Sequence, residues 1–131
     1  MNKSGFTLNT RDFDIKFPKI TQKRIPEDAA QAIFQVAAIV LKDAITEEPT
    51  APKNKGTLRR SQKIERPKVE HGAISIEIGF NTEYAAKLHE APSNWNWSEP
   101  GSGPKFLEAK LSRNREKYMR ETAERMRRKA R

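Results

Sequence analysis

The feature that most constrains the fold is a long run, residues 27–48, that contains neither glycine nor proline. Pro26 stands directly before it, where its fixed φ suits the start of a helix, and Glu27 and Asp28 complement the positive helix N-terminus. Apolar residues recur along the run at the spacing of one helix face. The run therefore predicts a long helix with one apolar stripe, formed by Ile33, Val36, Ala37, Val40, Leu41 and Ala44.

Three further apolar residues, Phe34, Ile39 and Ile45, make this stripe wider than a surface helix needs. The helix is therefore either the central core element or one that also packs against a neighbouring subunit. Its most apolar part contains Gln31 and Gln35 and is too short to span a bilayer, so no membrane contact is expected. The chain has no cysteine, which excludes disulfides and thiolate zinc sites, and no secretory signal is recognisable. A soluble intracellular protein is the default expectation.

Strand patterns lie on both sides of this helix. The strongest is at 73–80, where apolar and polar residues alternate and the last apolar residue is Phe80. Residues 62–69 predict a weaker strand interrupted by Pro67, and a hairpin turn separates the two strands at His71-Gly72.

A further alternation, at 12–17, predicts a half-buried strand at one side of the sheet, ended by Pro18. Pro104 introduces a last helix over 105–131, whose apolar side begins at Phe106. Together these patterns predict a single α+β domain, residues 1–131. A small antiparallel sheet of three to four strands packs with a long helix in the N-terminal half and with the C-terminal helix.

Positive charge is concentrated in the last helix. The chain carries +9, and residues 105–131 account for +7 of it. Such a helix can bind phosphates of nucleic acid, although a solvated helix face explains the same charge run. The residues that would contact DNA or an acidic surface are Arg113, Arg115, Arg120, Arg127 and Arg128.

Two segments rich in turn-forming residues, 47–56 and 91–103, are predicted to be exposed loops. The second contains Trp95 and Trp97, spaced by one residue. Tryptophans displayed in a polar loop are typical of protein–protein contacts. The alternative is that the loop folds back and the indoles cover the sheet.

Patterns typical of catalysis are weak or absent. His89-Glu90 lacks the second histidine of the zinc-protease motif, and Asp12 and Asp14 would share one face of the predicted strand without a partner motif. No phosphate-binding glycine motif exists, and an anion cradle around Arg59 and Arg60, with Gly56 and Ser61, is equally a simple turn. We therefore expect no enzymatic activity, no cofactor and no metal site.

Several short motifs follow one another over about residues 26–125. They are a helix, a Gly-x-Leu-Arg-x-Ser turn that begins at Gly56, a hairpin, a Tyr-Ala…His-Glu segment that begins at Tyr84, a variable loop and a Pro-x-Phe-Leu start to the last helix at Pro104. This order resembles the tail-completion, minor capsid and head–tail joining proteins of tailed bacteriophages. Lys55 and Ala91-Pro92 depart from the pattern of that family. The residues that carry the resemblance are Gly56, Leu58, Arg59, Ser61, Tyr84, Ala85, His89, Glu90, Pro104, Phe106 and Leu107.

The resemblance implies a non-catalytic virion protein of the phage neck or tail end, assembled in the host cytoplasm. It implies a homo-oligomeric ring, often of six subunits, between the head-completion connector and the tail tube, with packaged DNA in its channel. A small nucleic-acid-binding module that uses the C-terminal helix is the alternative. The residues expected at the interfaces are Trp95, Trp97, Tyr84, His89, Arg59, Arg60, Phe34 and Ile39.

Overall fold

A computed structural model describes residues 5–17, 24–52, 57–70, 72–82, 84–92, 97 and 101–129. Strands and helices are mixed along the chain and the sheets are antiparallel, which confirms the predicted α+β class. The strands are β1 (Phe6–Asn9), β2 (Gln62–Ile64), β3 (Lys68–Glu70), β4 (Ala73–Ser75) and β5 (Glu77–Phe80). The helices are α1 (Glu27–Thr46), α2 (Thr57–Arg60), α3 (Ala85–His89), α4 (Glu108–Arg113) and α5 (Arg115–Lys129).

The sheet is built on β5, which pairs antiparallel with β1 on one side and β2 on the other. The predicted strand at 73–80 is present in two pieces, because β4 pairs separately with β3. The register shifts by one residue between the two pairs, from Ile64 opposite Ile78 to Lys68 opposite Ser75. The extra residue lies beside Pro67, which has no N–H for a ladder.

The prediction of a strand at 12–17 is wrong. The N-terminal strand is β1, which lies at one edge of the sheet, as predicted. It begins six residues earlier in the chain than the predicted strand. A 3₁₀ turn follows it at Thr10–Phe13, because the Asn9 side chain accepts from the Arg11 N–H at 2.9 Å and Asp14 adopts a left-handed φ of 55°. Asp12 and Asp14 therefore do not share a strand face.

The predicted helix is α1, and its whole apolar stripe is buried. Pro26 is the N-cap residue, one position before the first turn. By length and composition alone α1 could cross a membrane. Its stripe instead packs in the same core cluster as Ile78 and Phe80 of the sheet, Phe106 and Tyr118. It is therefore the central core element of the described part of the chain.

The C-terminal segment forms two helices rather than the single one predicted. Asn114 interrupts it with φ −106° and ψ 21°, and its side-chain amide donates to Glu47 Oε1 at 3.2 Å. Beyond this break α5 runs antiparallel to α1, because Asp43 contacts Tyr118 and Gln35 contacts Arg125. Burial continues further along α5 than the sequence indicates, since Thr122 is also fully buried.

Candidate interaction surfaces

The two predicted loops meet in space. Thr50 and Ser102 form a parallel bridge, in which the Thr50 N–H donates to Gly101 O at 2.8 Å. The Ala51 N–H donates to Ala44 O at 2.8 Å, which attaches the first loop to the end of α1. We call residues 48–52 and 101–104 the two-loop platform. Sequence patterns predict both loops but contain no signal that they lie together.

Lys110 holds this platform on α4. Its side chain is fully buried, and its Nζ donates to Pro49 O at 2.6 Å and to Phe106 O at 2.9 Å. Burial lowers its pKa to about 8, since the ammonium has exchanged water for two carbonyl oxygens. Arg113 adds a bond from Nη1 to Glu48 O at 3.0 Å. Part of the basic helix therefore fixes a loop rather than facing a partner.

The proposed anion cradle is used within the chain. Arg59 Nε donates to Ala51 O at 3.0 Å, which connects α2 to the platform. Ser61 Oγ donates to Leu58 O at 2.7 Å and accepts from the Asn81 N–H at 3.1 Å. Arg60 is exposed, and Gly56 lies outside the described residues. The turn reading is therefore the better description of this segment.

His89 is a core residue. Its ring is 1% exposed, lies 4.4 Å from the Phe6 ring and 4.9 Å from the Phe106 ring, and accepts at Nε2 from the Glu108 N–H at 3.3 Å. Nδ1 lies 3.3 Å from Glu90 Oε1, so the bonding partners assign the neutral tautomer with the proton on Nδ1. His89 therefore satisfies the first N–H of α4 and is not available to a partner in this fold.

Acid should destabilise the chain through His89. Burial lowers the pKa of His89, so the unfolded chain takes up the proton more readily as the pH falls below about 6.5. The contribution of the neutral His89 ring to the free energy of unfolding is therefore complete above that pH. It decreases as the pH falls from there through the lowered pKa of the folded state. We expect the free energy of unfolding in urea to decrease less between pH 7.5 and pH 5.0 for His89→Gln than for the unchanged chain. Each unit of lowered pKa corresponds to about 1.4 kcal/mol. Equal losses in the two proteins would contradict this assignment.

Trp97 is partly exposed, but its Nε1 is buried and has no acceptor among the described residues. Within the described part of the chain, Ser102 Oγ of the same loop is also buried without a hydrogen-bond partner. The indole is thus neither fully displayed nor fully packed, which lies between the two sequence expectations. Trp95 lies outside the described residues.

One flank of α1 remains uncovered. Ala38 is exposed, and Ala30, Phe34 and Ile45 are partly exposed beside it at helical spacing. We call these four residues the α1 flank. Ile45 also packs against the core, as do Ile39 and Tyr84, both of which were expected at an interface. Phe34 is therefore the predicted interface residue of α1 that the structure leaves most clearly uncovered.

The five arginines predicted to contact DNA or an acidic surface divide into two groups. Arg113 is used in the platform, and Arg115 lies 3.8 Å from Asp14. The other three are exposed on α5 and have no acidic partner among the described residues: Arg120, Arg127 and Arg128. Within the ranges described, no group of three or more histidine or acidic side chains is placed to bind a metal.

Comparison with known proteins gives one family. Residues 11–91 match the family model described as "Bacteriophage HK97-gp10, putative tail-component". The match extends from the 3₁₀ turn through α1, the strands that follow it and α3, and ends just after His89. No curated protein and no solved structure matches the chain.

Proposed function

Because the chain belongs to the HK97-gp10-like family of bacteriophage tail components, we propose that it is a subunit of a ring at the joint between the phage head and tail. The family makes the chain a structural, virion-associated protein and points to a non-enzymatic role. Our proposal adds to this the ring and its position at the neck. In this role the protein closes the tail end and docks it on the head-completion connector.

The observation that carries this proposal is the α1 flank. A helix that is the core element of its own subunit still presents Phe34 and Ala38 to solvent along one side. Aromatic side chains such as Phe34 are enriched at contacts between subunits. A head-to-tail contact made by this flank closes into a ring when its rotation divides a full turn, and six copies is the number that the resemblance implies.

Loss of the ring contact should leave heads and tails unjoined. The test complements a phage that lacks this protein with Ala38→Asp, which places a charge in the centre of the α1 flank. Ala73→Asp is the matched control, because Ala73 is also exposed but lies on β4. Negative-stain electron microscopy should show free heads and free tails for Ala38→Asp and joined particles for Ala73→Asp. Joined, infectious particles in the complete absence of the protein would overturn the proposed function.

The alternative is a DNA-binding module, and the observation that favours it is the set of three exposed arginines on α5. Mobility shift of duplex DNA should then weaken steeply with salt, because phosphate contacts release counterions. Replacement of Arg120, Arg127 and Arg128 by glutamine should remove the shift. If the unchanged protein gives no shift at low salt, this alternative is excluded.

A further inference from the structure

A second apolar strip lies along α5 and is only partly covered by its own subunit. Tyr118 of α5 contacts Asp43 of α1, and Thr122 is buried one turn later. About a quarter turn round the helix from these two, partly exposed apolar side chains recur at intervals of four and three residues, which keeps them on one face. We call these three residues the α5 stripe: Met119, Ala123 and Met126.

The α1 flank faces away from α5 within the same subunit. Asp43 marks the side of α1 that contacts α5. Phe34 precedes Asp43 by nine residues, or about two and a half helical turns, so the two side chains lie on opposite sides of α1. One subunit therefore cannot cover its own α1 flank with its own α5 stripe, and the two faces are open to different neighbours.

We propose that the α5 stripe of one copy of this chain packs antiparallel on the α1 flank of the next copy. This contact rests on the proposed function, because it supplies the second surface of the same head-to-tail ring contact. A ring of such contacts covers both faces of every subunit with a single kind of interface.

Large and small side chains alternate in complementary order on the two faces. When Phe34 is set opposite Ala123, the helical rise of about 1.5 Å per residue brings the alanines of the flank opposite the methionines of the stripe. These pairs are Ala38 with Met119 and Ala30 with Met126. Each large side chain then meets a small one, which allows two helices to interdigitate, and methionine sulfur packs favourably beside an aromatic ring.

Charges at the ends of the two faces select the antiparallel orientation. On α1, Glu27 lies before the flank and Lys42 lies near its far end, and both are exposed. On α5, Glu116 lies before the stripe and Arg127 lies after it, and both are again exposed. The antiparallel arrangement brings Glu27 to Arg127 at one end and Lys42 to Glu116 at the other. A parallel arrangement would bring the two glutamates together and Lys42 towards Arg127, and like charges suppress such a pairing.

Charge also favours a contact between two unlike faces over a contact between two like ones. Three exposed arginines of α5 have no acidic partner among the described residues, whereas α1 begins with two exposed carboxylates, Glu27 and Asp28. Two α5 stripes packed on each other would gather the arginines. Two α1 flanks packed on each other would close a dimer about a two-fold axis and leave the α5 stripe uncovered, so they would not build a ring.

The first test exchanges charges across the contact. Glu27→Arg and Arg127→Glu each bring like charges together in every contact of the ring, so each should reduce the fraction of joined particles in the complementation assay to about a tenth. The double variant restores opposite charges and should return joining close to the level of the unchanged chain. Arg66→Glu is the matched control, because Arg66 is exposed outside both faces, and it should retain full joining.

Far-ultraviolet circular dichroism checks that the four variants are folded. Full joining by both single variants, or a double variant as defective as the weaker single one, would overturn the proposed contact. The second result is the one expected if Arg127 binds DNA instead, since a change at Glu27 would not repair a lost phosphate contact.

The second test uses the absence of cysteine from the chain. Ala30→Cys and an epitope-tagged Met126→Cys are produced together in cells infected by a phage that lacks the protein, and joined particles are purified and oxidised. Covalent dimers of one tagged and one untagged chain are expected, because these two positions face each other only in the antiparallel contact.

The outcomes of this test separate the contact from the ring. Dimers of one kind of chain only, or particles that contain both proteins without any mixed dimer, overturn the proposed contact and leave the proposed function standing. Joined particles that lack the protein altogether defeat the proposed function, and the contact is defeated with it.

Discussion

Replacing Phe106 by alanine is expected to lower the free energy of unfolding by about 3–5 kcal/mol, the range for removing a fully buried aromatic side chain. The ring is 0% exposed, and its centroid lies 5.5 Å from that of Phe80 and 4.9 Å from that of His89, both with edge-to-face geometry. Its loss leaves a cavity where the sheet, α3 and the start of α4 meet. Guanidinium unfolding followed by far-ultraviolet circular dichroism measures the change.

Phe34→Ala is the matched control, because it removes the same atoms from a site that the subunit leaves partly open. We expect a loss below about 1 kcal/mol, as is usual for substitutions outside the core. If both variants lost equal stability, Phe34 would be as well packed as Phe106. The α1 flank would then be part of the subunit core rather than a contact surface.

Replacing Asp43 by alanine is expected to cost about 2–3 kcal/mol, because it leaves a buried phenol without its acceptor. Asp43 Oδ2 accepts from Tyr118 Oη at 2.7 Å and from Lys117 Nζ at 3.3 Å, and both Asp43 and Tyr118 are buried. Burial, together with the adjacent carboxylate, raises the pKa of Tyr118, so the phenol remains a donor. This contact joins α1 to α5.

A double-mutant cycle with Tyr118→Phe isolates that contact. The double variant should be less destabilised than the two single variants added together, since neither orphaned partner then remains. Asp43→Asn, which keeps an acceptor in place, should lose less than Asp43→Ala. Fully additive losses would show that the hydroxyl and the carboxylate do not stabilise the fold through each other.

Sequence patterns predict those helices and strands that are determined by residues close together in the chain. The stripe of α1 and the alternation that ends at Phe80 are repeated signals over many residues, and both are present. The break at Asn114 is not predictable in this way, because its cause is a hydrogen bond to Glu47, far away in the chain. The two-loop platform is not predictable for the same reason. The sequence around a lysine in a basic helix does not indicate that its ammonium will bind the carbonyl of Pro49.

The wrong prediction of a strand at 12–17 has a different cause. The alternation at 12–17 is real, and Ile15 and Phe17 are both buried. Their burial does not require a ladder, because the 3₁₀ turn and the left-handed Asp14 deliver them to the core from irregular backbone. Thr10 then supplies the connection to the sheet, since its N–H donates to Ile76 O at 3.0 Å and its Oγ1 accepts from the Ile76 N–H at 3.1 Å.

Both tryptophans of the chain fall within the loop at 91–103, and Trp97 is not part of the core cluster formed by the described residues. Excitation at long ultraviolet wavelengths, where tyrosine absorbs little, therefore follows this one segment. A shift of emission wavelength on assembly would register the loop while the rest of the subunit is optically silent. For the same reason, a thermal unfolding curve recorded by tryptophan fluorescence would report the release of this loop. Unfolding of the core would have to be followed by a backbone signal such as far-ultraviolet circular dichroism.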